Sequence, residues 1–200
     1  SGTTINIFPG SYAESLTLKA GVNLTSPAVM SVYITGNHTA NFSGTVIIEN
    51  IVLMSASGIT LTYSGTGTQN LQFYNSSINS TSGDAINWTN TNSSSKLQMI
   101  DCTCNVITSG ASARCFYSTV GAAGGLIANR TTFKINNPDN VCLSIGGSVS
   151  FVHTADTITG QIVVNNSAAV TISTVVMTTS TVFCLVQNSS VPVVLTSVIA

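Results

Sequence analysis

The chain has 200 residues, 44% of them hydrophobic and only 6% charged, with a net charge of -1. No Lys/Arg cluster is present, which argues against a nucleic-acid or anionic-membrane partner held by charge. No apolar run approaches the roughly 18 residues that a membrane span needs, so membrane insertion is not expected. Ser, Thr, Asn and Gly replace the usual charged coat, a composition that suits strand faces and tight corners and makes poor helices.

Residues 1–45 read as opening rungs. Thr4-Ile5-Asn6-Ile7 alternates like a strand, and Pro9-Gly10-Ser11-Tyr12 is a turn signal. Short strands follow at Leu16–Leu18, Val22–Thr25 and Val32–Ile34. From 46 onward one sentence repeats: an alternating apolar strand, a small polar corner, then another apolar residue. It starts at Val46, Leu71, Leu97, Leu126, Val149, Val170 and Val191, with spacings of 21 to 29 residues. Self-similarity at such a period is the mark of a solenoid. A Ser- or Gly-rich connection in each repeat leads to a further strand, as at Ile59–Tyr63, Ala85–Trp88, Cys115–Tyr117, Val141–Ile145, Ile162–Val164 and Val182–Val186.

Side chains alternate faces along a strand. Val46 and Ile48, Leu71 and Phe73, Leu97 and Met99, and Val170 and Ile172 therefore point inward. Beyond the corner Leu53, Ile78, Cys104, Phe133 and Met177 do the same. Rungs about 4.8 Å apart would stack these into apolar ladders, and nine rung starts would make a rod of roughly 40 Å. The longest connections, Asn90–Lys96 and Ser118–Gly125, are the expected extrusions and the expected binding face.

Ile5 through Leu24, with its strand, Pro9-Gly10-Ser11-Tyr12, Glu14 and second strand, resembles the opening rungs of pectin-lyase-like right-handed parallel β-helices. Pectinesterases and many phage tail-spike or tail-fibre proteins begin in this way. The resemblance covers about a tenth of the chain and bears on fold more than on activity. The expected fold is all-β: one chain wound as a right-handed parallel β-helix, with opening rungs over 1–45 and a shaft over 46–200 forming one continuous domain. Because the chain opens on Ser1-Gly2 and stops at Ala200 inside a strand-like stretch, a fragment of a longer protein is expected.

Three sets of residues are candidate sites. The corner column is read as Asn50, Asn75, Asp101, Arg130, His153 and Thr174. Asn50 and Asn75 are structural, because Asn tolerates a left-handed backbone and bonds locally. Asp101, Arg130 and His153 bring three titratable types to successive rungs and are the catalytic candidates, His153 as a proton carrier. Tyr63, Trp88 and Tyr117 form an aromatic column read as internal. Tyr74 and Phe116, on the opposite parity, are the expected exposed rings and the ligand-binding candidates.

Enzymes of the resembled family work through grouped carboxylates. Here the acids are Glu14, Glu49, Asp84, Asp101, Asp139 and Asp156, and none forms a sequence-local pair at glycosidase spacing. Five cysteines lack a paired CxxC pattern, so no metal and no cofactor is expected, and buried thiols are favoured over bridges between neighbouring rungs. Ten Asn-x-Ser/Thr sequons, at Asn23, Asn37, Asn41, Asn75, Asn79, Asn87, Asn92, Asn129, Asn165 and Asn188, follow from the composition.

The expected role is a receptor-contacting structural shaft of an extracellular, cell-surface or virion-surface spike, fibre or adhesin. Its expected partners are a cell-surface polysaccharide or glycoprotein and copies of itself, as a trimer or an end-to-end filament. The alternatives are a polysaccharide lyase, esterase or hydrolase, and a pure filament subunit.

Overall fold

The structure, a computed structural model, describes residues 2–107, 112–154, 156–166, 170–173, 176–178, 185–188, 190, 192–197 and 199, with the backbone alone for 166, 177, 178 and 186. Among these residues every regular element is a strand and every strand pairing is parallel. The chain is a parallel β-solenoid with three faces.

The first face is built from Thr3–Asn6, Val22–Thr25, Gly44–Glu49, Gln69–Tyr74, Lys96–Ile100, Ala123–Asn129, the end of Val141–Thr154, Val170–Ser173 and Val193–Thr196. The second face runs from Gly10–Tyr12 through Val32–Thr35, Ile51–Ser55, Ser77–Ser80, Thr103–Val106, Thr132–Ile135 and Thr157–Thr159 to Val176–Thr178. The third runs from Thr17–Leu18 through His38–Ala40, Leu61–Tyr63, Ile86–Trp88, Phe116–Ser118 and the start of Val141–Thr154 to Gln161–Asn166 and Leu185–Gln187.

Register places like upon like. Val46, Leu71, Leu97, Leu126, Phe151, Val170 and Val193 stack in one inward ladder. A second first-face ladder joins Ile5, Leu24, Ile48, Phe73, Met99, Ala128, His153, Ile172 and Leu195. The second face contributes Ile34, Leu53, Ile78, Cys104, Phe133 and Ile158. The third contributes His38, Leu61, Ile86, Phe116, Leu143 and Ile162. From Leu61 to Ile162 the third-face ladder is wholly buried. Inside it Tyr63 and Trp88 pack with ring centroids 4.4 Å apart, and Phe116 and Phe151 extend the contact at 6.0 and 6.3 Å. The internal aromatic stack expected for Tyr63 and Trp88 is present. Its polar tips are satisfied: Tyr63 Oη donates to the Gln69 carbonyl at 2.9 Å and Trp88 Nε1 to the Ala123 carbonyl at 2.9 Å.

Two strand starts move. The repeat expected at Val149 begins in register at Phe151, and that expected at Val191 begins at Val193. The cause of the first shift is a 14-residue strand, Val141–Thr154, that runs from the third face to the first without a break. It turns at Gly146-Gly147, where Gly147 has φ 66, a conformation open to glycine at no steric cost. No polar gap therefore marks where the new face begins.

The connection from Asn90 to Lys96 does not extrude. Asn92 Nδ2 donates to the Thr66 carbonyl at 3.0 Å and Ser95 Oγ to the Gly67 carbonyl at 3.0 Å, tying it to the rung before. In the connection from Ser118 to Gly125 the tip residue Val120 projects, 90% exposed.

Phe73 sits wholly buried between Ile48 and Met99. Phe73→Ala should cost about 3–5 kcal/mol, since rungs above and below prevent collapse of the cavity. Tyr74→Ala, one residue on and outward-facing, should cost less than about 1 kcal/mol. Chemical denaturation of the two variants checks the alternation directly.

Candidate functional site

The corner between first and second faces is a column of left-handed residues: Asn50 (φ 62), Asn75 (φ 47), Asp101 (φ 54) and Arg130 (φ 50). Asn and Asp take this conformation readily, whereas an Arg carries a steric cost of about 1–2 kcal/mol. Asn50 Nδ2 reaches down to the Ser26 carbonyl at 2.9 Å, so its role is structural, and Asn75 holds the same backbone position.

The residue after each corner forms an inward column that caps the backbone. Ser76 Oγ accepts from Ile51 N–H at 3.2 Å and donates to the Tyr74 carbonyl at 2.7 Å. Cys102 Sγ donates to the Ile100 carbonyl at 3.2 Å, and Thr131 Oγ1 to the Asn129 carbonyl at 3.3 Å. Asp156 continues the series: its Oδ1 accepts Thr131 N–H at 2.7 Å.

The three catalytic candidates separate. Asp101 and Arg130 are adjacent at the corner and form a two-pronged ion pair, Nε to Oδ1 at 2.6 Å and Nη2 to Oδ2 at 2.7 Å. Both side chains are exposed, at 42% and 55%. The Arg130 guanidinium holds the Asp101 carboxyl below the usual carboxylate range, and Asp101 raises Arg130 in return. Asp101 is thus a fixed anion rather than a proton donor. His153 is not in this column. It lies opposite Ala128 and Ile172, wholly buried. Its Nδ1 bonds Asp156 Oδ2, its Nε2 has no partner, and its ring packs on Phe151 at 3.7 Å and on Phe133 at 5.1 Å. Thr174 lies outside the described residues.

Phe116 also differs from expectation. It is wholly buried in the ladder between Ile86 and Leu143, and Tyr117 aligns with Asn87 on the outside. The parity slips by one because the column before it is Cys115, whose N–H bonds the Cys142 carbonyl in register at 2.9 Å. The outward ring is therefore Tyr117, with the Arg114 guanidinium 3.7 Å above it. Arg114 also forks onto Asp84, Nε to Oδ1 and Nη2 to Oδ2 both at 3.0 Å. Sequence reading passed over this pair because Asp84 and Arg114 lie in the connections ahead of the strands Ile86–Trp88 and Phe116–Ser118, outside the repeating pattern. Tyr74 is half-buried on the outer first face, and its Oη donates to Gln72 Oε1 at 3.1 Å.

Cys102, Cys104, Cys115 and Cys142 are buried free thiols, and burial pushes Cys102 up to about 11. Cys184 lies outside the described residues. Among the described residues no group of three or more His, Cys, Asp or Glu could hold a metal ion. Comparison of the chain with protein families, with curated protein sequences and with solved structures returns no match.

Burial lowers the imidazoles of both His38 and His153 below the usual 6.5, against opposing bonds to Ile34 and Asp156. The neutral form is thus the folded form. Its contribution to stability is complete above pH 6.5 and is lost as the pH falls below that value. Thermal unfolding should shift to lower temperature between pH 7.5 and 5.0. The double variant His153→Met, Asp156→Ser, which installs residue types already found in these two columns, should shift less, the remainder coming from His38.

Proposed function

We propose that the chain is a rigid, non-catalytic shaft of an extracellular or virion-surface spike, fibre or adhesin of the pectin-lyase-like type, and that its outer surface contacts cell-surface glycans. The observation that carries this reading is the use made of the ionisable groups. Asp84, Asp101 and Asp156 are each engaged by a different basic side chain, two of these pairs spanning rungs and the third lying inside the core. Such groups serve the stack. Glycoside hydrolysis canonically uses two carboxyl groups that flank the scissile bond.

The outer first face offers a place for a sugar. A shallow groove of about 530 Å³ is lined by Gly2, Gly21 and Gly44 together with Asn23, Thr45 and Ile47. Side chains are missing from successive rungs there, and amide and hydroxyl groups line its flank, a pattern suited to hydroxyl-rich ligands.

Glycan-array binding by the purified chain tests the first reading, with Thr45→Trp, which fills the groove, expected to abolish it. Release of reducing ends from a polysaccharide, lost in Asp101→Ala, would overturn it in favour of an enzyme. Light scattering over a concentration series tests for end-to-end growth.

A further inference from the structure

The chain has two histidines, and both occupy positions in otherwise apolar ladders. His38 is the more telling because both of its ring nitrogens are bonded, one of them across rungs. Nδ1 accepts the backbone N–H of Leu16, in the first rung, at 3.1 Å. Nε2 donates to the carbonyl of Ile34, in the second rung, at 3.2 Å. Only the neutral imidazole with its proton on Nε2 satisfies both bonds. A second proton would go to Nδ1 and set two donors, Nδ1–H and Leu16 N–H, against each other.

That contact joins the backbone pairs of the first two rungs where their pairing is shortest. The third-face strand of the first rung is only two residues long, Thr17–Leu18, and pairs with Thr39 and Ala40. His38 extends this pairing by one position, at the point where Leu16 N–H would otherwise bond a backbone carbonyl. The first rung packs unevenly: Leu18 is buried and Ile7, Tyr12 and Leu16 are partly so, whereas all four residues of Thr3–Asn6 are exposed. Segments with few buried contacts open at a small fraction of the global free energy.

The surroundings make the titration a clean one. Between Lys19 and Asp84 the chain has no Asp, Glu, Lys, Arg, His or Cys other than His38 and Glu49. Glu49 is on the first face. On the first rung Glu14 and Lys19 are exposed, and Tyr12 bonds the Phe8 carbonyl. On the second rung Tyr33 is outward, and on the third Tyr63 bonds Gln69 and Lys96 carbonyls. The groups facing the imidazole are backbone: the carbonyls of Ile34 and Met54.

We propose that His38 is a proton-operated latch between the first two rungs: the neutral ring ties residues 2–18 to the rung above, and its protonation releases them while the rest of the stack stays wound. Release uncovers the strand edges Val22–Thr25, Val32–Thr35 and His38–Ala40, which are then free to pair with another strand. The latch is independent of any reading of what the shaft binds.

Hydrogen exchange of the 200-residue chain at pH 7.5 and 5.0, corrected for the intrinsic pH dependence of exchange, tests this. Residues 3–18 should exchange at least tenfold faster at pH 5.0, beyond any loss of protection that residues 44–129 show from the fall in global stability, and the midpoint should coincide with the His38 titration followed by NMR. His38→Gln and His38→Leu should abolish the pH dependence. The latch is overturned if residues 3–18 stay protected at pH 5.0 in the wild type. It is equally overturned if they open to the same extent in the variants, or only together with residues 44–129. Should neither variant fold, an opening midpoint more than one pH unit from the His38 titration overturns it, and coincidence supports it.

Discussion

The left-handed corner and the backbone amide that follows it constrain the whole stack. A chain leaving the first face must turn sharply, and Asn50, Asn75, Asp101 and Arg130 do so at positive φ. The turn takes the next N–H out of ordinary strand pairing, and a buried N–H must find an acceptor. At Ile51 and at Thr131 that acceptor is a side chain of the following rung, Ser76 Oγ and Asp156 Oδ1. At these two corners the following rung completes the one before it. Register is fixed at the corner, and the apolar ladders of all three faces follow from it.

The same logic accounts for the unusual members of the core. Ser76, Cys102, Thr131 and Asp156 are polar or weakly polar residues in an apolar interior because the corner backbone needs them. Asp156 brings a carboxyl group into the core, and His153, three residues before it, hydrogen-bonds that group. His153, a catalytic candidate in the sequence, is in three dimensions sealed in the core against Asp156. Arg130 shows the converse. It takes a corner position that does not suit its backbone, and its side chain clamps Asp101 one rung away.

Much of this was legible in the sequence. Period-2 alternation located the inward positions from Val46 to Leu126 and the corner residues Asn50 to Arg130, because small polar residues break the apolar pattern there. Legibility failed where those signals were missing. Between Val141 and Thr154 a pair of glycines turns the chain inside one strand, so the start was read two residues early and His153 was placed outside the core. At Phe116 a cysteine stacked on a cysteine continues the apolar run, and parity could be read either way. The Asp84–Arg114–Tyr117 cluster was invisible because Asp84 and Arg114 sit in irregular connections where the repeat aligns no residues, unlike Asp101 and Arg130 in the corner column.

Two of the three ion pairs join successive rungs and the third lies inside the core. The central claim is that the left-handed corner sets the register of the rungs. Equilibrium unfolding of Asn75→Gly and Asn75→Val tests it most directly, since both remove the amide and only valine resists φ 47. The account predicts that the glycine variant stays within about 1 kcal/mol of the wild type and that the valine variant loses about 2 kcal/mol or more. Equal stability of the two variants would contradict it.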